Sequence, residues 1–239
     1  MKILAFETAT EACSVALWID GELRERHAIA PRQHAQLVLV WADALLAEAG
    51  IVRSALDAIA VGRGPGAFTG VRLAIATAQG IALALDRPVL PVSTLAVLAQ
   101  GAPIGSDQPI IAAIDARMGE VYLGVFERGA DGLVHATVAE WLGVPADAGK
   151  CVASALGVGG FGIGTGFAAE VGALVTGLGL PPATVDATAL PHAGDCARLA
   201  AAALARGEGV PAEQLEPAYL RNQVALTLEQ QHAARAGRD

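Results

Sequence analysis

The residues richest in chemical possibility lie in one segment, Gly62-Arg63-Gly64-Pro65-Gly66-Ala67-Phe68-Thr69-Gly70. A glycine-rich loop entering a helix can offer several backbone N–H groups to an anion, and the helix N-terminus adds a positive dipole. Arg63 or Arg72 would stand alongside. No Gly-Lys-Ser/Thr follows, so this is not a P-loop, and no acid stands where a dinucleotide fingerprint needs one. The plainer reading, which the spacing favours, is a sharp strand-to-helix turn around Pro65. Glu7, with Thr8 and Thr10 behind it, reads as a strand-end acid making a local turn bond. Asp115 and Glu120 are a weak candidate for a carboxylate pair. The five histidines (His27, His34, His135, His192, His232) show no HExxH and no i,i+4 pair, so a helix-borne metal site is not supported. His34 suits a capping or interface role better than a ligand role. Gly-x-Ser-x-Gly is absent, and Ser93 has no recognisable base partner. No catalytic constellation emerges.

The elements that must position these residues follow from periodicity. Residues 2–7, 12–19 and 22–29 read as three strands in series, with a turn at Asp20-Gly21. A helical pattern runs from Gln33 to Ala49 and stops near Gly50. A strand at 58–61, the glycine loop, a helix at about 71–85, a strand at 89–92 and a helix at 95–100 capped by Ser93 or Thr94 complete the first series. This order resembles the repeated unit of the actin, sugar kinase and Hsp70 superfamily. A fresh strand set opens at 110–114 and continues through 121–126 and 133–138, predicting a second lobe. The fold class is therefore α/β and two-lobed, each lobe a mixed sheet flanked by helices. Residues 1–102 form the first lobe, 103–190 the second, 191–225 return to the first with a helix at about 193–205, and 226–239 form a polar tail. Residues 151–190 carry no clear periodicity.

Two helices say more than their positions. The pattern at 34–49 is apolar almost all round, and 71–85 is similar, with Gly80 and alanines permitting close approach. A surface helix needs one apolar stripe, so more than one face of each must be covered. Either the second lobe covers them or another protein does.

Composition narrows the classes further. The chain has 239 residues, 54% of them hydrophobic and 17% charged, with 52 alanines and 28 glycines. The net charge is −8. Residues 1–100 carry 8 basic and 9 acidic groups, and residues 101–215 carry 5 and 12. Long-range attraction to nucleic acid or anionic lipid is not expected to drive function, though a local basic patch is compatible with these numbers. Only four apolar residues separate Lys2 from Glu7, too few for a signal-peptide core. No run reads as a membrane span. Cys13, Cys151 and Cys196 lack CxxC spacing, which argues against a disulfide framework or thiolate site. A cytoplasmic protein fits.

Five segments together resemble the bacterial tRNA threonylcarbamoyladenosine biosynthesis protein TsaB (YeaZ) family: Ala5–Glu11, Gln33-His34, Ala60–Arg72, Ala113–Tyr122 and Pro217–Arg221. The match is ordered from residue 2 to about 222. It implies the two-lobed actin-like fold and a non-catalytic subunit in threonylcarbamoyl modification of the adenosine beside the tRNA anticodon. The implied partners are a catalytic TsaD-like paralogue and a TsaE-like ATPase, with a homodimer when alone, tRNA contacted only indirectly and no membrane. On that reading the partner-facing residues are His34, Leu37, Val38, Trp41, Leu45, Arg72, Ile75, Ala76 and Gln79. No catalytic residue, metal or cofactor of its own is implied. ATP or ADP could sit at a partner-completed site near Gly64, Gly66 and Arg72. Glu7-Thr8-Ala9-Thr10 lacks the glycine with which ATP-using relatives of the fold approach phosphate, which weakens autonomous nucleotide binding. The alternatives are a metallopeptidase-like (glycoprotease) member and a free-standing ATP-dependent kinase of the same fold.

Overall fold

The structure is a computed structural model, described here for residues 1–103, 108–156 and 159–221. The chain opens with β1 (Lys2–Glu7), β2 (Ala12–Ile19) and β3 (Glu22–Ile29), an antiparallel meander. β1 is buried on both faces after Lys2, as a continuous apolar run requires. After α1 (His34–Glu48), β4 (Ala58–Gly62) pairs parallel to β1. After α2 (Phe68–Leu85), β5 (Val89–Val92) pairs parallel to β4. The first sheet has the order β3-β2-β1-β4-β5. α3 (Thr94–Gln100) follows, its N-cap Ser93 accepting the Ala96 N–H at 3.3 Å.

The second sheet repeats the opening with β6 (Ile110–Arg117) and β7 (Glu120–Arg128) antiparallel, then adds β8 (Val134–Ala136) and β9 (Trp141–Gly143), both on β7. α4 (Ala148–Leu156), β10 (Phe161–Ile163), α5 (Ala173–Leu178) and β11 (Val185–Asp186) complete it. The main path runs β11-β10-β6-β7-β8. α6 (Ala193–Ala205) then packs on the first sheet. The stretch 151–190 thus holds short elements, each too brief to show a period in sequence. α2 begins three residues before Val71, at Phe68. The tail 226–239 lies outside the described residues.

Four apolar clusters hold the layers. Leu4, Phe6, Val15 and Leu17 of the first sheet meet Val38 and Leu45 of α1 and Val71, Ala74, Ile75 and Ala78 of α2. The opposite face of that sheet meets Ala193, Cys196, Ala197 and Ala200 of α6, where small side chains allow the helix to lie close. α3 turns Leu95, Leu98 and Ala99 to the second sheet, against Ile110, Ala112, Ile114 and Phe126. The far face of the second sheet is covered by Val152 of α4 and Leu174 of α5.

By length and composition alone, the 18-residue α2 could cross a bilayer, which the sequence reading of no membrane span did not anticipate. Here its apolarity has a local cause, since Val71, Ala74, Ile75, Ala78 and Ala82 are buried in the first core. The outward faces of α1 and α2 are not covered by the second lobe. Leu39 and Val40 are 53% and 63% exposed, and Leu83 is 64% exposed.

Candidate functional site

Glu7 does not face solvent. It is 1% exposed, and its carboxylate accepts the Ala9 N–H at 2.8 Å and the Thr94 hydroxyl at 3.1 Å. Thr94 in turn accepts the Gly64 N–H at 3.2 Å and donates its own N–H to the Gly64 carbonyl at 2.9 Å. Burial pushes the Glu7 carboxyl up to about 7, more than the hydrogen bonds from Ala9, Thr94 and Thr8 pull it down. The local turn bond read from sequence is present. The tie to α3, 87 residues away, had no sequence signal.

The glycines of the 62–70 loop answer to packing. A Cβ on Gly62 would lie 1.9 Å from the Glu7 carboxylate, on Gly66 2.4 Å from the Ala9 carbonyl, and on Gly70 1.9 Å from the Thr8 carbonyl. Gly64, with φ +93°, precedes a cis bond to Pro65. The loop's N–H groups are engaged as well: Arg63 donates to Val92, Gly64 to Thr94, and Ala67 to the Ala9 carbonyl at 2.7 Å. The turn after β1 therefore occupies the concavity in which a phosphate cradle would have to form. Of the candidates for nucleotide binding, Gly66 is explained by this contact, and Gly64 by its positive φ and its closeness to Val71 and the Ala218 carbonyl.

The remaining candidates separate into core and surface. Val38, Leu45 and Ile75 are 1%, 2% and 6% exposed and belong to the first core, which corrects their placement on a partner interface. Trp41 packs partly against the same cluster, and Leu37 is half-buried. The helical pattern could not tell these inward side chains from their outward neighbours Leu39 and Val40, because all are apolar. The His34 Nε2–H bridges the carbonyls of Thr10 and Ala12 at 3.0 and 3.1 Å, fastening the start of α1 to the turn after β1. Gln79 donates to the carbonyls of Ala212 and Leu215, whereas Ala76 is exposed. Arg72 lies 3.6 Å over the Phe68 ring and donates twice to the Tyr219 hydroxyl, at 2.9 and 2.7 Å.

Asp115 and Glu120 are not a pair. Asp115 accepts the N–H and a guanidinium N–H of Arg117, both at 2.7 Å, and Glu120 accepts from Arg221 at 2.6 Å. Among the described residues no three His, Cys, Asp or Glu side chains gather as metal ligands. Burial pushes the Cys13 thiol up to about 11 and Cys196 well above its usual range, so neither is a thiolate.

These segments converge on one cleft of about 770 Å³ between the sheets. All five segments that carried the family resemblance contribute lining residues: Thr10, His34, Phe68, Asp115 and Tyr219 are one from each. The last segment crosses between lobes. Ala218 N–H bonds to the Arg63 carbonyl at 2.9 Å on one side, and Arg221 bonds to the Ala116 carbonyl and Glu120 on the other. Tyr122 and Pro217–Arg221 were among the segments carrying the resemblance, but the strap's course and Thr165 as a lining residue were missed, because nothing local marks segments 101 residues apart as neighbours.

Two mixed sheets flanked by helices and facing one cleft define the two-lobed actin-like class. Residues 28–225 match the family model described as tRNA N6-adenosine threonylcarbamoyltransferase (TsaD). The chain is 42% identical over 229 residues to "tRNA threonylcarbamoyladenosine biosynthesis protein TsaB" of Escherichia coli, spanning 94% of this chain and 96% of that protein. The Haemophilus influenzae protein of the same name is 36% identical over 94% of this chain and 95% of its own length. "YeaZ from Pseudomonas aeruginosa" is a solved structure with TM-score 0.78 and 46% identity, covering 92% of this chain and 99% of that one. Another solved structure, titled an uncharacterized protein with similarity to peptidase YEAZ from Pseudomonas aeruginosa, gives 0.83 and 47% over the same shares. The chain belongs to the TsaB (YeaZ) family.

Proposed function

We propose that this chain serves tRNA threonylcarbamoyladenosine biosynthesis as a subunit that performs no chemistry of its own and activates a catalytic TsaD-like paralogue in the cytoplasm. The observation that carries this reading is the outward surface of α1 and α2. It leaves Leu39, Val40 and Leu83 exposed, with Ala76 and Gly80 beside them in sequence as small residues on the same helices. Apolar helix faces with small residues suit close packing against another helix pair, and burying such side chains is worth about 1.5–3 kcal/mol each. Alone, the chain would pair with a second copy through the same helices; in the complex, the paralogue and a TsaE-like ATPase join it.

The cleft supports the non-catalytic part of the reading. Asp115 in the cleft is bound to Arg117, Glu120 nearby is bound to Arg221, and the buried Glu7 is bonded to backbone and Thr94. A nucleotide shared with a partner would be met by Arg72, since Gly64 and Gly66 are covered from within. The test is reconstitution with the host's paralogue, ATPase and adenylate-forming enzyme, reading modified adenosine in tRNA. Omission of this chain should abolish modification, and Leu39→Glu with Leu83→Glu should do the same while leaving a folded chain. Modification that proceeds unchanged without the chain overturns the proposal.

A further inference from the structure

The fold class carries a metal–nucleotide in its interlobe cleft, and the residues here do not fit one. The concavity behind the glycine loop is filled by Thr8 and Ala9, three of the loop's N–H groups are already bonded, and the strand-end acid is buried beneath Gly62. What remains is a different kind of site. The cleft of about 770 Å³ is within the range that encloses one small organic molecule. Four arginines line it, Arg32, Arg72, Arg117 and Arg221, against two carboxylates, Glu11 and Asp115, in a chain whose net charge is −8. Positive charge is thus gathered where the rest of the molecule is acidic. The walls between the arginines are apolar or aromatic, with Val71, Ile114, Tyr122 and Leu220 among them.

We infer that this cleft binds a compact organic anion, an apolar or aromatic body bearing one carboxylate or phosphate monoester, in place of a metal–polyphosphate. Guanidinium groups recognise both anions through paired N–H donors. Arg72 and Arg221 are held by Tyr219 and Glu120, so they shape the wall. Arg32 is exposed and free to turn onto a ligand, while Arg117, 82% exposed in its side chain, is paired with Asp115 at 2.7 Å, a surface pair with which an incoming anion competes. The inference is independent of the role in tRNA modification, because it concerns what the isolated chain binds.

The experiment titrates the full chain with benzoate, phenyl phosphate, the neutral isostere benzamide, inorganic phosphate and magnesium–ATP, following amide resonances of Ala67, Ile114 and Thr165. Benzoate or phenyl phosphate should shift residues of both lobes, and which one binds tighter tells carboxylate from phosphate. Benzamide and inorganic phosphate should bind at least tenfold more weakly than the better of the two. An Arg32→Gln, Arg117→Gln double variant with an unchanged wild-type spectrum elsewhere should lose at least tenfold in affinity. The inference is overturned if neither anion shifts both lobes, if benzamide binds equally well, if the double variant binds normally, or if magnesium–ATP binds tightest.

Discussion

Replacing Glu7 by Gln should stabilise the protein, although it alters a buried residue that makes hydrogen bonds. In the folded chain the Glu7 carboxyl titrates near 7, against 4.5 when solvated. The folded state therefore holds a proton that the unfolded chain releases, and stability from this group falls as pH rises through 4.5–7. A shift of this size corresponds to about 3 kcal/mol lost by pH 8, at about 1.4 kcal/mol per unit. Glutamine keeps an oxygen for the Ala9 N–H, and its amide can donate to Thr94 Oγ, which already accepts from Gly64. No charge remains to desolvate. Urea denaturation at pH 5 and pH 8 should show wild type weaker at pH 8 by about 3 kcal/mol from this group, and Glu7→Gln should remove most of that difference. A variant whose stability falls in parallel with wild type between the two pH values would refute the assignment of the buried proton to Glu7.

Other perturbations follow from single contacts. Gly80 has open space where a Cβ would stand, so Gly80→Ala should raise the melting stability of the chain by about 1 kcal/mol while weakening pairing with the paralogue in a pull-down. Gly70→Ala forces a Cβ against the Thr8 carbonyl and should cost about 3 kcal/mol by chemical denaturation, with an unchanged midpoint counting against the packing account. Glu25 is opposed by burial, yet His192, Ser14 and the Gly194 N–H hold its carboxyl down to about 2. Its contribution is complete above pH 4.5 and is lost as pH falls towards 2, so Glu25→Gln should cost about 2–3 kcal/mol at pH 7 and shift the acid-unfolding midpoint.

The first lobe was legible almost residue by residue because β1, β2 and β4 are largely apolar runs, the polar β3 follows the turn at Asp20-Gly21, and the helices are long enough to show a period. Lys2–Glu7, Ala12–Ile19 and Glu22–Ile29 stand where the sequence places them. The second lobe was legible in its first three strands, 110–114, 121–126 and 133–138, and not beyond them. α5 has six residues and β11 two, and elements that short are fixed by what they pack against, such as Phe167 and Leu180 in the far cluster. Glycines at 62, 66 and 70 were visible as a motif, but what requires them, the Glu7 carboxylate and the carbonyls of Ala9 and Thr8, lies about 60 residues earlier in the chain. The family segments were equally plain in sequence, whereas their shared cleft required the fold to bring residue 10 beside residue 165. At α1 and α2 the limit was chemical. Leucine in the core and leucine awaiting a neighbour are the same letter.

α3 lies before the second sheet in the chain but gives that sheet Leu95, Leu98 and Ala99, while Thr94 at its start holds Glu7 and Gly64 of the first. Severing the chain after Ala102 would leave one fragment with a bare oily helix and the other with an uncovered sheet. The two halves should therefore melt together in one calorimetric transition, and a protease nick in this connection should leave the halves associated. Gene fragments divided there would have to be co-expressed to yield soluble protein.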